Sequence, residues 1–287
     1  MKLELGEHTI DCTNRTVLMG ILNVSDDSPV AGSIAEVSGT VTAARDRGLE
    51  LHAAGARIVD IGAHSTGAGK RDLTAQEEIE RVCPVIEALR AEGVPVSVDT
   101  WNADVASAAA GAGVHLLNDV TGFTDPAMVA VAADHHLPVC VMQMRGDPKM
   151  HYEVDQTYED VAAEVRDFLF ERTATLEAAG AGQVWIDPGF GFGKSADDNV
   201  RMLADLPGLV ASGRPVLVSA SRKGFLAELL KRGNDQDTEG ILEATLAFNT
   251  LAAYLGAHVV RVHDVDAVAD AIQVVNRARA AMAEASG

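Results

Sequence analysis

Eight short apolar runs alternate with longer helical segments along this 287-residue chain. Several of the runs are continuous, which is typical of parallel strands that are buried on both faces. Ala-, Glu- and Arg-rich segments with apolar residues at helical spacing lie between them, as in Ala75–Ala91, Tyr158–Ala179 and Thr238–Leu255. The predicted strands are Val17–Leu22, Arg57–Ile61, Val94–Val98, Val114–Leu117, Leu137–Met142, Gln183–Ile186, Pro215–Val218 and Ala257–Val262.

Eight strands that are each followed by a helix predict an α/β fold, a (β/α)₈ TIM barrel of the usual size of about 250 residues. Apolar residues make up 47% of the chain, which is ample for such a core. No Pro- or Ser-rich linker interrupts the pattern, so we predict one domain over residues 1–287. Residues 1–16 precede the first barrel strand, and we expect them to form a short strand pair or arm that covers the barrel floor.

The net charge of −19 argues against nucleic acid or an anionic membrane as a partner. The three cysteines lie far apart and form no CxxC pair, which favours reduced thiols in a cytoplasmic protein. The first residues contain no signal-peptide core, and no apolar run approaches the length of a membrane span. We therefore expect a soluble cytoplasmic protein.

Polar side chains occur at the C-terminal ends of all eight predicted strands, where barrel enzymes place their active sites. One Asp or Asn at such a point has a simpler explanation, because these residues cap the following helix. Eight such ends, with basic groups converging from the last two strands, favour a site instead. The residues are Asn23, Asp60, Asp99–Thr100, Asn118–Asp119, Gln143–Arg145, Asp187, Ser219–Lys223, and His263–Asp264 with Arg261 just before them.

The types of these residues indicate a flat heterocyclic ligand. Asp99, Asn118 and Asp187 supply carboxylate and amide groups that suit a ring edge with NH and C=O groups, such as an aminopyrimidinone. Lys223 can donate to a carbonyl or nitrogen of the same ring. These four side chains come from different strands and are predicted to face one mouth.

The loop Asp187–Lys194 contains three glycines, two aromatic rings and a lysine. Glycine allows backbone to approach a ligand closely, and exposed Phe residues would be a liability in an ordinary loop. We predict that Phe192, with Met142 from the fifth strand, covers the faces of the ligand ring.

The eighth strand carries the predicted anion site. Arg261 and His263 are two residues apart and therefore point to the same side, and barrels commonly bind phosphate near strands seven and eight. Asn23 lies across the mouth, where it could coordinate a Mg²⁺ ion that also contacts phosphate oxygens.

The chain resembles the dihydropteroate synthase family in six segments that keep their order and spacing over most of its length. The family is a (β/α)₈ barrel, usually a homodimer, that joins 6-hydroxymethyl-dihydropterin pyrophosphate to p-aminobenzoate in folate synthesis. The segments are Met19–Val24, Ser97–Thr100, Asn118–Val120, Asp187–Lys194, Ser221–Phe225 and Arg261–Asp264.

The resemblance implies a role for each matching residue. Pterin contacts would come from Asp99, Asn118, Asp187 and Lys223, and the pyrophosphate and Mg²⁺ contacts from Arg261, His263 and Asn23. We predict catalytic roles for Asp99, Asp187 and Lys223, and a metal-binding role for Asn23. The predicted substrate-binding residues are Thr66, Asn118, Met142, Phe192, Ser221, Arg261 and His263.

Two loops depart from the family pattern. Pro29 stands where the first loop usually has Phe, and Gly67 and Ala68 replace an Arg-Pro pair in the second. In the family these loops close over the reacting centre and form the aminobenzoate pocket. Losing the Phe removes about 1–3 kcal/mol of apolar contact with the aryl ring. We therefore expect binding of p-aminobenzoate, or of sulfonamide analogues, to be impaired. The usual His at the end of the fifth strand is Gln143.

Two alternatives stay open at this point. The chain could be an inactive or re-purposed paralogue that binds pterin pyrophosphate without coupling it to p-aminobenzoate. It could instead resemble the methyl-tetrahydrofolate-binding barrels of corrinoid methyltransferases, which share the Asp, Asn and Asp strand ends. The second alternative predicts no pyrophosphate site, and the segments Ser221–Gly224 and Arg261–His263 argue against it.

Overall fold

The computed structural model describes residues 1–24, 41–63, 73–148, 150, 153–231 and 241–286. No helix in these ranges is long and apolar enough to cross a membrane. The strands are β1 Lys2–Leu5, β2 His8–Asp11, β3 Val17–Asn23, β4 Ala56–Gly62, β5 Val96–Asp99, β6 Leu116–Asp119, β7 Val139–Met142, β8 Val184–Asp187, β9 Leu217–Val218 and β10 Val259–Val262. The helices are α1 Val41–Ala53, α2 Ala75–Ala91, α3 Ala103–Ala112, α4 Pro126–Asp134, α5 Val161–Ala179, α6 Ala196–Val210, α7 Gly224–Leu229, α8 Leu242–Tyr254 and α9 Val265–Ser286.

Eight parallel strands form one sheet in the order β8-β7-β6-β5-β4-β3-β10-β9. The two ends of this sheet meet through a parallel bridge between Ile186 and Val216. There the backbone N–H of Ile186 donates to the carbonyl of Pro215 at 2.9 Å. The sheet is thus a nearly closed barrel with the helices outside it, which confirms the predicted (β/α)₈ fold.

All eight predicted barrel strands are present; five of them begin two residues later than predicted, and five extend one or two residues past the predicted C-terminal end. Asn23, Asp99, Asn118 and Asp187 are residues of the strands and not of the loops that follow. Asp99 pairs with Gly62 on one side and with Asn118 on the other. Backbone pairing continues past the apolar run because it depends on the peptide groups and not on side-chain polarity. The functional candidates are therefore held in the sheet itself.

The floor of the barrel is apolar and is covered by the N-terminal hairpin. β1 and β2 pair antiparallel, as predicted for residues 1–16. Leu3, Leu5 and Ile10 of the hairpin are buried against the lower layer of the barrel interior. That layer contains Met19, Ile58, Leu116, Cys140, Trp185, Leu217 and Val259.

Two buried histidines, at the start of β6 and β10, hydrogen-bond to the backbone of the neighbouring chain segment. The Nδ1 atom of His115 accepts from the backbone N–H of Val96 at 3.0 Å, and His258 Nδ1 accepts from Val216 N–H at 3.1 Å. The backbone N–H of each histidine donates back to the carbonyl of the same valine. Because Nδ1 is the acceptor, each neutral ring carries its proton on Nε2.

Protonation of His258 should destabilise the fold. Burial lowers the pKa of His258 from 6.5 to about 4. The neutral ring therefore makes its full contribution to the free energy of unfolding above pH 6.5, and this contribution is lost as the pH falls towards 4. His258→Gln retains an acceptor but does not titrate. Between pH 7 and pH 5 we expect the free energy of unfolding to fall by about 2 kcal/mol less in this variant than in the wild type. Urea unfolding at both pH values measures the difference.

The control is His135→Gln, because His135 is exposed at the end of α4. It should leave the pH dependence unchanged. Equal pH dependence in the wild type and in His258→Gln would show that His258 is not responsible.

Candidate active site

The barrel interior changes from apolar to polar within two residues along each of four strands. Residues two apart on a strand face the same side, so the polar side chains lie directly above the apolar floor layer. The pairs, with the floor residue first, are Ile58 and Asp60, Leu116 and Asn118, Trp185 and Asp187, and Val259 and Arg261. This arrangement places the polar layer at the C-terminal end of the barrel.

Arg261 lies between two carboxylates at the centre of the polar layer. Its Nε donates to Asp60 Oδ2 at 2.6 Å, and its Nη2 donates to Asp99 Oδ2 at 2.6 Å. The side-chain amide of Asn118 donates to the same Asp60 oxygen at 3.2 Å. Burial opposes the charge on Arg261, but Asp60 and Asp99 outweigh it and raise the Arg261 pKa. The guanidinium therefore stays cationic and binds side chains from two other strands, and a third strand is connected through the bond from Asn118 to Asp60.

The two predicted catalytic carboxylates are difficult to ionise in this environment. Burial raises the pKa of Asp99 even though Arg261 favours its charged form. Burial also raises the pKa of Asp187 to about 6, against the hydrogen bond that its Oδ1 accepts from Gly189 N–H at 2.7 Å. Each carboxylate therefore takes up a proton at a pH closer to neutral than an ordinary aspartate does.

An apolar wall stands beside these carboxylates. Lys223 Nζ lies 3.8 Å from the centroid of the Phe192 ring, in a cation–π contact. Burial lowers the pKa of Lys223 to about 8. A flat ring could contact this wall with one face while its polar edge meets the carboxylates. The wall consists of Val120, Met142 and Phe192, with Trp101 and Met144 packed against them.

The glycines of the loop Asp187–Lys194 are required by close packing. Gly189, Gly191 and Gly193 all have positive φ, at 69°, 76° and 63°. A Cβ added to Gly189 would lie only 1.8 Å from the carbonyl oxygen of Gln143. The loop therefore packs directly against the end of β7, and no larger residue fits there.

Ser221 and His263 form the other end of the site. The hydroxyl of Ser221 accepts from the backbone N–H of His263 at 3.2 Å and lies 3.1 Å from His263 Nδ1. Burial, with the nearby charge of Arg261, lowers the pKa of His263 to about 3. The ring is therefore a neutral hydrogen-bonding group. Arg222 is paired with Asp264 through two hydrogen bonds of 2.8 and 2.5 Å.

Asn23 and Asp99 present oxygens to the same space at the mouth. A Cβ added to Gly62 would lie 3.9 Å from Asn23 Oδ1 and 4.0 Å from Asp99 Oδ2. Amide and carboxylate oxygens are suitable ligands for Mg²⁺. The two side chains therefore supply oxygens of a type that could hold the predicted Mg²⁺, and Asp99 Oδ2 also accepts from Arg261 Nη2 at 2.6 Å.

Ten of the eleven predicted site residues lie at this end of the barrel, and the eleventh, Thr66, lies outside the described residues. Pro29 and Gly67, which carry the predicted impairment, also lie outside them. The functional roles of all these residues stay predictions.

Sequence reasoning gave no role to three residues that the structure places in or under the site. Asp60 is fully buried and is the shared acceptor of Arg261 and Asn118. Lys194 is also buried and donates to the side chain of Gln143 at 2.5 Å. The strand-end pattern includes Asp60 and Gln143, but only their neighbours in space distinguish them from helix caps.

Comparison with known proteins gives a consistent result. The family described as pterin binding enzyme matches residues 19–263. Dihydropteroate synthase of Escherichia coli strain K12 is 38% identical over 278 residues, which cover 96% of this chain and 95% of that protein. The Thermus thermophilus dihydropteroate synthase solved with 4-aminobenzoate has a TM-score of 0.84 at 38% identity, covering 96% of this chain and 99% of that one. The same enzyme solved with 6HMPPP has a TM-score of 0.82 at 37% identity, covering 96% and 98%.

Asp187→Asn should stabilise the ligand-free protein. A carboxylate whose pKa rises from 3.8 to about 6 on folding costs stability at every pH at which it is ionised, so the penalty appears as the pH rises through this range. At pH 7.5 we expect the variant to gain about 1–2 kcal/mol, because the amide carries no charge and its oxygen can still accept from Gly189. Urea unfolding provides the measurement.

The matched control is Asp167→Asn, at an exposed position on α5. It should change the free energy of unfolding by less than about 0.5 kcal/mol. A loss of stability in Asp187→Asn would mean that the ionised carboxylate is better compensated than its burial indicates.

Proposed function

Because the chain belongs to the pterin binding enzyme family, with the dihydropteroate synthases, we propose that it joins 6-hydroxymethyl-7,8-dihydropterin pyrophosphate to p-aminobenzoate in folate biosynthesis. This proposal rests on four side chains that converge beside the apolar wall: Asp99, Asn118, Asp187 and Lys223. The T. thermophilus structures with 4-aminobenzoate and with 6HMPPP support it for both substrates.

The dihydropterin ring suits the polar layer and the wall together. Its amino and ring N–H groups are donors, and the carboxylate of Asp187 and the amide oxygen of Asn118 are acceptors. Lys223 can donate to its carbonyl group. One face of the ring would contact Phe192 and Met142, which are both buried in the wall. These contacts orient the ring so that its methylene carbon and pyrophosphate point towards the eighth strand.

The reaction exchanges one bond to the methylene carbon for another. The C–O bond to pyrophosphate breaks with its electron pair on the leaving oxygen, and a C–N bond forms from the amine of p-aminobenzoate, which then loses a proton. Positive charge develops on the methylene group, and the carboxylate of Asp99 stabilises it. The guanidinium of Arg261 and the ring N–H of His263 stabilise the departing pyrophosphate.

A Mg²⁺ ion held by Asn23 and Asp99 would add a positive charge that neutralises pyrophosphate oxygens. The residues of the chain do the remaining work by binding and orienting the two substrates. Since both reactants are held together, the amine meets the carbon at a high effective concentration, and no covalent enzyme intermediate is needed.

We further propose that the p-aminobenzoate step is weak. Pro29 and Gly67 remove an aromatic ring and a positive charge from loops that in the family form the aminobenzoate pocket. The proposal also includes a cytoplasmic homodimer and binding of sulfonamide analogues at the same pocket.

A direct assay tests this function. Purified protein is mixed with 6-hydroxymethyl-7,8-dihydropterin pyrophosphate, MgCl₂ and p-aminobenzoate, and dihydropteroate and pyrophosphate are measured together. We expect equal amounts of both products and a KM for p-aminobenzoate at least about tenfold above that of the E. coli enzyme assayed in parallel. Calorimetry with the pterin substrate alone separates the alternatives.

Binding of the pterin substrate without turnover would favour the paralogue that does not couple it to p-aminobenzoate. The proposed synthase would be abandoned if the pterin substrate failed to bind.

Restoring the two family residues tests the loop argument. The double variant Pro29→Phe/Gly67→Arg should lower the KM for p-aminobenzoate by about ten- to a hundredfold, because it restores about 1–3 kcal/mol of ring contact. The KM for the pterin substrate should change little. A sulfonamide competing with p-aminobenzoate should gain affinity in parallel.

The control is Ala68→Pro alone, which stiffens the second loop but adds neither a ring nor a charge. An unchanged KM for p-aminobenzoate in the double variant would show that these two positions do not limit the reaction.

A further inference from the structure

Lys194 is a buried lysine surrounded by neutral oxygens. Only 4% of its surface is exposed. Its Nζ lies 2.5 Å from Gln143 Oε1 and 3.3 Å from the carbonyl oxygen of the same residue. The carbonyl oxygens of Gly189 and Phe192 lie at 3.0 and 3.3 Å. Four oxygens thus form a cage around one ammonium group.

The cage joins two parts of the chain that contribute to the proposed pterin site. Gln143 directly follows β7, whereas Gly189 and Phe192 belong to the loop after β8. The Tyr158 hydroxyl adds a second link by donating to the carbonyl of Gly193 at 3.0 Å. Without a cation, the convergent oxygens of the cage would repel one another, and the carbonyl of Gly189 would keep only the backbone N–H of Phe192, at 3.2 Å, as a donor among the described residues.

Burial disfavours the charged form of Lys194. Burial lowers the pKa of Lys194 to about 7, although Asp187 favours its charged form. In return, Lys194 is one of the charges that keep Asp187 ionised. Burying a cation costs desolvation free energy, which the four oxygens of the cage and the charge of Asp187 only partly offset.

Two residues of the cage are linked to groups that would contact a pterin ring. The Phe192 carbonyl is a cage oxygen, and the Phe192 ring forms the wall with Val120 and Met142. Gly189 supplies another cage oxygen, and its N–H donates to Asp187 Oδ1. Movement of the loop would therefore displace the Phe192 ring and break the hydrogen bond that holds the Asp187 carboxylate.

We propose that Lys194 is a positioning residue whose ammonium group ties the loop Asp187–Lys194 to Gln143 and so sets the pterin-binding geometry of Phe192 and Asp187. The pterin part of this inference rests on the proposed function. The ordering of the loop by an ammonium group does not, and it is tested without substrate.

Hydrogen exchange tests the loop without any ligand. In Lys194→Met, which keeps the chain length but removes the donors, the amides of residues 189–194 should exchange at least about tenfold faster than in the wild type. Peptides from β5 and α3 should be unchanged. Lys2→Met, at an exposed position of β1, is the matched control and should leave all peptides unchanged.

Chemical rescue tests whether an ammonium group is what the cage requires. Lys194→Ala removes three carbons and the nitrogen, which n-propylammonium can replace. Millimolar n-propylammonium should restore slow exchange of residues 189–194 in this variant, and 1-propanol should not. Rescue by both compounds, or by neither, would overturn the proposal, because a filler or a merely structural role would then explain the change.

Binding of the pterin substrate completes the test. The Kd in Lys194→Met should rise at least about tenfold, and n-propylammonium should lower the Kd in Lys194→Ala. If the lysine variants do not fold, Gln143→Met, which removes one cage oxygen, should still speed exchange of the loop and raise the Kd in the same direction. Unchanged exchange and Kd in the variants that fold would overturn the proposal.

A wild type that does not bind the pterin substrate would overturn the pterin part together with the proposed function. The exchange and rescue results would then still decide whether Lys194 orders the loop.

Discussion

The guanidinium of Arg261 is the interaction on which the polar layer depends. It bridges Asp60 and Asp99 at 2.6 Å each, and Asp60 in turn accepts from Asn118. Without a cation at this point, two carboxylates would face each other in a poorly solvated interior, and each would oppose the ionisation of the other. One side chain from β10 thus makes it possible for β4, β5 and β6 to present polar groups to a single small space. The arrangement is an ion-pair network that orients the site more than it stabilises the fold.

The apolar floor makes this polar layer possible. The hairpin residues Leu3, Leu5 and Ile10 pack against a continuous apolar layer beneath the site. This layer offsets part of the cost of the buried charges above it, since each buried aliphatic side chain contributes about 1.5–3 kcal/mol. The histidine bonds to Val96 and Val216 complete backbone pairing at the same level. Within the barrel interior, the apolar layer lies at one end and the proposed site at the other.

The two halves of the proposed site rest on different parts of the chain. Pterin recognition would use strand ends and the glycine loop, which are fixed by sheet pairing and by close packing against Gln143. Aminobenzoate recognition would use the first and second loops, where Pro29 and Gly67 depart from the family. Substitutions in a loop leave the sheet and its paired residues in place, so one half of a site can change while the other is kept. The proposed pterin half would therefore use the sheet, and the proposed aminobenzoate half would use loops whose sequence departs from the family.

The eight-fold strand–helix pattern predicted the barrel, and the polar residues at the strand ends predicted which residues face its mouth, because both are local properties of the chain. Local pattern does not contain distances between residues that are far apart in sequence. It therefore could not show that Asp60 pairs with Arg261, 201 residues away, or that Lys194 lies in a cage with Gln143. Those contacts exist only once the barrel is closed, when burial removes water and leaves other side chains as the available partners. The sequence by itself determined the fold and the polar groups that the strand ends carry, whereas the tertiary structure decided which of these residues hold one another in place.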